Sequence, residues 1–222
     1  MNGKYLVDYP NGNVIFPTLV IAPGLRYAMD GIIFKQLVES LVEKGVLVAR
    51  FNWSFFINDP VKGMPSDGFV SELRELQAVI SKLRQDKRVD VSKIFVLGKS
   101  FGSVVAWNVF CADSSLAGAI ILTPLCNGNI DHYPISLADS RPILLIGTEN
   151  DPNTSLVSLN ELANGLSGVV KMYVVSGNHN LECEGIQGVG CQLQEAQNFN
   201  QRIVNVGILI FAWMRSAMNL AA

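Results

Sequence analysis

Residues Gly98-Lys99-Ser100-Phe101-Gly102 set a serine between two glycines, G-x-S-x-G, at the junction of two apolar runs. Ile94-Phe95-Val96-Leu97 precedes the motif and Val104-Val105-Ala106-Trp107 follows it. That context predicts a buried strand, a sharp turn carrying Ser100, and a packed helix. A serine on such a turn stands clear of the main chain as a nucleophile, and the flanking positions must be small so that neighbouring chain can approach. The pentapeptide alone is a weak signal, because glycine and serine are common turn residues. The strand before it and the helix after it carry the weight.

A serine hydroxyl is a poor nucleophile until a base takes its proton, and histidine titrates in the right range. The chain has two histidines. His179 lies in Ser176-Gly177-Asn178-His179-Asn180, after the run ending Val174-Val175, and His132 lies in the polar connection Asn129 to Pro134. A carboxylate must then hold the imidazole in one tautomer. Asp151 can supply it, from Gly147-Thr148-Glu149-Asn150-Asp151-Pro152 after Leu144-Leu145-Ile146. Singly, each residue has an ordinary explanation: a surface or structural histidine, an Asp-Pro turn, a helix N-cap. Together, Ser100, Asp151 and His179 follow successive apolar runs in the order nucleophile, acid, base. This order favours His179 over His132; Asp151 is taken as the acid, with Glu149 in reserve and Asp131 behind it.

The elements that must position these residues alternate along the chain. Thr18–Ile21, Val46–Ala49, Ile94–Leu97, Ala119–Leu122, Ile143–Ile146 and Val170–Val175 read as strands. Ile32–Glu43 and Ser71–Arg84 carry apolar residues at helical spacing, Gly45 reads as a C-cap, and Gln194–Met218 reads as a long closing helix. Strands apolar throughout and separated by helices predict an α/β fold, a mostly parallel sheet covered on both faces. Ligands bind such sheets at the carboxyl ends of the strands, where every suggestive loop here falls.

With 49% apolar and 16% charged residues, much of the chain must be buried, and 222 residues suit one domain over 1–222. A net charge of −2 without a basic cluster argues against nucleic acid as a partner. The first eight residues lack the apolar stretch of a signal peptide. The longest apolar segment, Ile203 to Met214, is broken by Asn205. It falls short of the roughly 20 residues a membrane span needs, so a cytoplasmic protein is expected. Cys111, Cys126, Cys183 and Cys191 show no C-x-x-C spacing, so structural zinc is not expected and free thiols are. Cys183 and Cys191 could pair only in an oxidising compartment.

The chain resembles the α/β-hydrolases, and among them the small lid-less hydrolases related to dienelactone hydrolase, over nearly its whole length. The residues that carry the likeness are Ala22-Pro23-Gly24 with the loop ending Met29-Asp30, then Arg50-Phe51-Asn52-Trp53, the G-K-S-x-G elbow, the Gly147 to Pro152 loop, and Gly177 to Leu181. The resemblance implies an α/β-hydrolase fold without a separate lid domain, no metal or organic cofactor, and a small-molecule acyl substrate. It implies Ser100 as nucleophile, Asp151 as acid and His179 as base, with the backbone N–H groups of Leu25 and Phe101 as oxyanion hole. The sequence departs from the family pattern at Pro23, where a histidine is usual, at Ser103, where a glycine is, and by one extra residue in the acid loop. Hydrolysis of an ester-like bond through an acyl-enzyme is therefore expected. A thioesterase, a peptidase, or a binding protein that has lost turnover would share the same residues. Trp53, Phe55, Phe56 and Leu125 are the expected rim of an open cleft.

Overall fold

The computed structural model describes residues 5–126, 132–133, 140–166, 168–182 and 189–220. Seven strands form one sheet: β1 (Tyr5–Asp8), β2 (Phe16–Ala22), β3 (Leu47–Phe51), β4 (Val89–Lys99), β5 (Gly118–Leu122), β6 (Pro142–Thr148) and β7 (Val169–Val175). Their order across the sheet is β1-β3-β2-β4-β5-β6-β7. Every pairing is parallel except β1 with β3, which is antiparallel. The helices are α1 (Ile32–Val42), α2 (Ser54–Asn58), α3 (Val70–Leu83), α4 (Phe101–Ala112), α5 (Leu156–Gly165) and α6 (Val189–Leu220).

Alternation explains why the inner strands are apolar without interruption. Successive side chains point to opposite faces of a strand, so each strand feeds two cores. Val20, Ile94, Val96, Ile143 and Leu145 join one core with α3, α4 and α5 residues such as Leu76, Val105 and Leu159. Leu19, Ile21, Phe95, Leu97, Leu144 and Ile146 join the other, with Phe34 and Leu37 of α1 and Ile210 and Met214 of α6. A fully buried aliphatic or aromatic side chain contributes roughly 1.5–3 kcal/mol, so these two layers carry most of the folding free energy. α4 is buried on nearly every side, from Val104 and Val105 round to Val109 and Phe110, because it packs between β4, β5 and α3.

The predicted strands and helices all appear, most strands with longer ends, while α1 stops at Val42, β3 starts at Leu47 and α3 runs Val70–Leu83. β4 starts at Val89 rather than Ile94, and its register against β2 shifts between Phe16 and Thr18. β1, α2 and α5 were not predicted. α5 buries only Leu159 and Leu162, too narrow a stripe to read as a helix, although Ser155 caps it by accepting a hydrogen bond from the Ser158 N–H at 3.1 Å. Cys126 is a buried free thiol, whereas Asp131, and Cys183 of the candidate Cys183–Cys191 pair, fall outside the described residues. Among the described residues no helix is long and apolar enough to cross a membrane.

Candidate active site

Ser100 sits between the end of β4 and the first turn of α4, with φ 54° and ψ −124°. A side chain rarely adopts this conformation, and holding it costs on the order of 1–3 kcal/mol, supplied by the packing around it. The glycines of the motif are the condition for that packing. A Cβ on Gly98 would lie 2.2 Å from the Gly102 carbonyl oxygen, and one on Gly102 would lie 2.1 Å from the Ala22 carbonyl oxygen. α4 therefore starts hard against the ends of β4 and β2, and Ser100 is lifted out at the carboxyl edge of the sheet. The Ser100 N–H donates to the Leu122 carbonyl at 3.0 Å, which ties the turn to β5.

The other two sequence-predicted residues meet Ser100 there. His179 Nε2 lies 2.8 Å from Ser100 Oγ. His179 Nδ1 lies 2.8 Å and 3.0 Å from the two carboxylate oxygens of Asp151. Asp151 Oδ1 also accepts the Asn153 N–H at 2.8 Å, which fixes the carboxylate plane. The Asp151 side chain is 1% exposed and that of His179 12%, so the pair is shielded from solvent competition. Glu149 is exposed, and its N–H donates to the Val175 carbonyl at 3.0 Å. The imidazole of His132 packs near Phe69, with ring centroids 6.2 Å apart, and its carbonyl accepts from Asn108 Nδ2.

Ser100 and His179 open onto a cleft of about 580 Å³ that Leu25 and Phe101 also line. Phe101 is the first residue of α4, so its N–H has no acceptor within the helix. The loop carrying Leu25 is held from below by the Arg50-Phe51-Asn52-Trp53 segment. Arg50, 8% exposed, pairs with Asp8 at 2.9 Å and donates to the Met29 carbonyl at 2.9 Å. Asn52 Oδ1 accepts the Met29 N–H at 2.7 Å. Trp53 Nε1 donates to the Pro23 carbonyl at 2.7 Å. The proline that replaces a histidine side chain is thus anchored through its own carbonyl.

That anchor also corrects the expected cleft rim. Trp53 is fully buried, with its indole packed edge-to-face on Phe51 and Phe101. Phe55 and Phe56 pack against the same core, and of the four expected residues Leu125 lines the cleft. Met64 and Phe69 form the wall that sequence reading missed. The run Met64-Pro65-Ser66-Asp67-Gly68-Phe69 reads only as a turn. Its placement depends on Glu72, 2% exposed, whose carboxylate accepts from the Ser66 N–H and hydroxyl. The other departure, Ser103, also has a partner. Its hydroxyl donates to the Ser100 carbonyl and lies 2.7 Å from the Tyr133 hydroxyl, which accepts the Leu125 N–H at 3.1 Å. Burial raises the Tyr133 phenol well above its ordinary pKa, keeping it neutral.

Solved structures of low sequence identity share this fold. An alpha-beta serine hydrolase homologue from Coxiella burnetii is 20% identical, with a TM-score of 0.68 over 94% of this chain and 89% of that one. Est1E from Butyrivibrio proteoclasticus, solved with ferulic acid bound, is 14% identical, with a TM-score of 0.72 over 98% and 96% of the two chains. XC6422 from Xanthomonas campestris, an α/β serine hydrolase without a lid, is 17% identical, with a TM-score of 0.66 over 96% and 88%. No curated protein sequence matches the chain. The family model described as an alpha/beta hydrolase domain matches residues 16–206, which include strands β2 to β7, Ser100, Asp151 and His179, and the chain belongs to that family.

Proposed function

We propose that the protein is a serine hydrolase that cleaves ester-like acyl bonds of small molecules through an acyl-enzyme. The observation that carries this reading is the continuous hydrogen-bonded chain from Asp151 through His179 to Ser100 Oγ, opening on a cleft. Ser100 Oγ attacks the substrate carbonyl carbon while His179 Nε2 takes the hydroxyl proton. Asp151 accepts the Nδ1 proton in a hydrogen bond, which fixes the tautomer and offsets the imidazolium charge. The oxyanion is held by the N–H groups of Phe101 and Leu25, each such donor contributing a few kcal/mol of transition-state stabilisation. The intermediate collapses by breaking the bond to the leaving group, which takes the proton from Nε2. Water, deprotonated by the same nitrogen, then attacks the acyl-enzyme and frees Ser100. A thioester or an amide would follow the same steps. A cytoplasmic location and a single domain over 1–222 belong to the same proposal.

A fluorophosphonate tests the reading directly, because the activated serine displaces fluoride from phosphorus and keeps the label. Wild-type protein should label and Ser100→Ala should not. His179→Gln should label far more slowly than wild type, and His132→Gln at the wild-type rate. Turnover is then read on a panel of short-chain alkyl esters, thioesters and hydroxycinnamoyl esters, the last because Est1E binds ferulic acid. Equal labelling of wild type and Ser100→Ala, or none of a folded wild type, would overturn the proposal and favour a binding protein on a hydrolase fold.

A further inference from the structure

Lys99, the lysine of the G-K-S-x-G elbow, has no part in the hydrolytic scheme, yet it is fully buried. β4 alternates between the two cores, and Lys99 faces the one that Phe95 and Leu97 enter, between the sheet, α1 and α6. An apolar side chain is what that position ordinarily holds. Burying a lysine there is costly unless its donors are matched. Burial depresses it to about 7, partly opposed by the carboxylates of Asp151 and Glu182. Its nitrogen is matched three ways. Nζ donates to the main-chain carbonyl of His179 at 2.9 Å and to Thr123 Oγ1 at 3.1 Å, and it lies 4.2 Å from the centroid of the Tyr27 ring.

These partners come from three separate loops. Tyr27 lies in the loop after β2 that also carries Leu25. Thr123 follows β5 directly and is held at φ 43°. His179 follows β7. The Tyr27 hydroxyl in turn donates to Asn180 Oδ1, so the first and third loops are joined a second time, next to His179. We infer that Lys99 is a positioning residue that, from beside the nucleophile, fixes the main chain of His179 against the β5 turn and the Leu25 loop and so sets the reach of Nε2 to Ser100 Oγ. A lysine suits the task because its long stem carries a nitrogen with donors for both oxygens and sets it against an aromatic face. A methionine fills similar space and leaves the His179 carbonyl without this donor.

This inference rests on His179 being the base. Lys99→Met and Thr123→Val are compared with wild type by kcat, KM and fluorophosphonate labelling rate, each on protein shown to be folded by circular dichroism. A displacement of the base of about 1 Å costs up to roughly 100-fold, so Lys99→Met should lower kcat and the labelling rate by at least about tenfold. KM should stay within about threefold, because Lys99 does not itself line the cleft and the loss is in a catalytic geometry rather than in binding. If Lys99→Met does not fold, Thr123→Val decides, with a kcat loss of at least about threefold at constant KM, the smaller figure reflecting that the bond to His179 remains. A smaller loss in the deciding variant, a rise in KM at unchanged kcat, or a lower melting temperature with normal kcat would overturn the inference. A folded wild type that fails to label would instead sink the hydrolase reading itself, so the two failures are distinct.

Discussion

Replacing Asp151 by Asn changes neither size nor shape, yet it removes the charge and one acceptor. In the structure both carboxylate oxygens face His179 Nδ1, and Oδ1 also accepts the Asn153 N–H. An amide has one acceptor oxygen for these two donors. If the oxygen turned to His179, the NH2 group would face the Asn153 N–H in a site where the side chain is 1% exposed. Leaving those donors unmatched costs about 1–3 kcal/mol, so the oxygen stays with Asn153 and the NH2 faces Nδ1. His179 then holds its proton on Nε2, where it cannot receive the one from Ser100. The expected loss is about 10⁴-fold in kcat. That corresponds to about 5.5 kcal/mol of transition-state stabilisation. Glu149 is exposed, so Glu149→Gln should change kcat by less than about threefold. Both variants are assayed on an activated short-chain ester, with thermal melts to establish folding. Asp151→Asn within about tenfold of wild type, or equal losses in the two variants, would refute the argument.

Trp53→Phe keeps a buried ring on Phe51 and Phe101 but removes the donor to the Pro23 carbonyl. It should lower unfolding free energy by about 1–3 kcal/mol in urea melts and reduce kcat through the Leu25 loop; an unchanged melt would mean the loop has no need of that bond. Lys99 also predicts a pH dependence of stability. Its native value of about 7 lies below its ordinary 10.5, so between those pH values the unfolded chain binds a proton that the native protein does not. The stability advantage of wild type over Lys99→Met should therefore grow as pH rises through this window and shrink as it falls towards 7. Urea melts of both proteins across it, giving a flat or falling difference, would contradict a depressed Lys99.

The inner strands were legible because both faces of each are buried, which leaves an unbroken apolar run in the chain. β1 was not, since three half-buried residues and the exposed Leu6 acquire their conformation from antiparallel pairing with β3, 40 or more positions away. Ser100, Asp151 and His179 could be read because all three stand just beyond such runs. Trp53 was misplaced for a related reason. Adjacent aromatics look the same in a rim and in a core, and the partner that buries this one, the Pro23 carbonyl, is 30 residues distant. Lys99 was legible only as a member of the elbow motif, which says nothing of what its side chain touches. Its partners become visible only when three loops converge.

The sheet order has a bearing on how the molecule fails. Ser100 directly follows β4, an inner strand flanked by β2 and β5, whose residues Ile94 to Lys99 are all buried. His179 follows β7, the outermost strand, half of whose residues face solvent. Native proteins open first at such thinly packed margins and last at their centres. On the proposed hydrolase reading, warming is expected to part His179 from Ser100 before the central strands separate. Loss of turnover should then precede loss of the fold, and a sample inactivated at moderate temperature should recover on cooling.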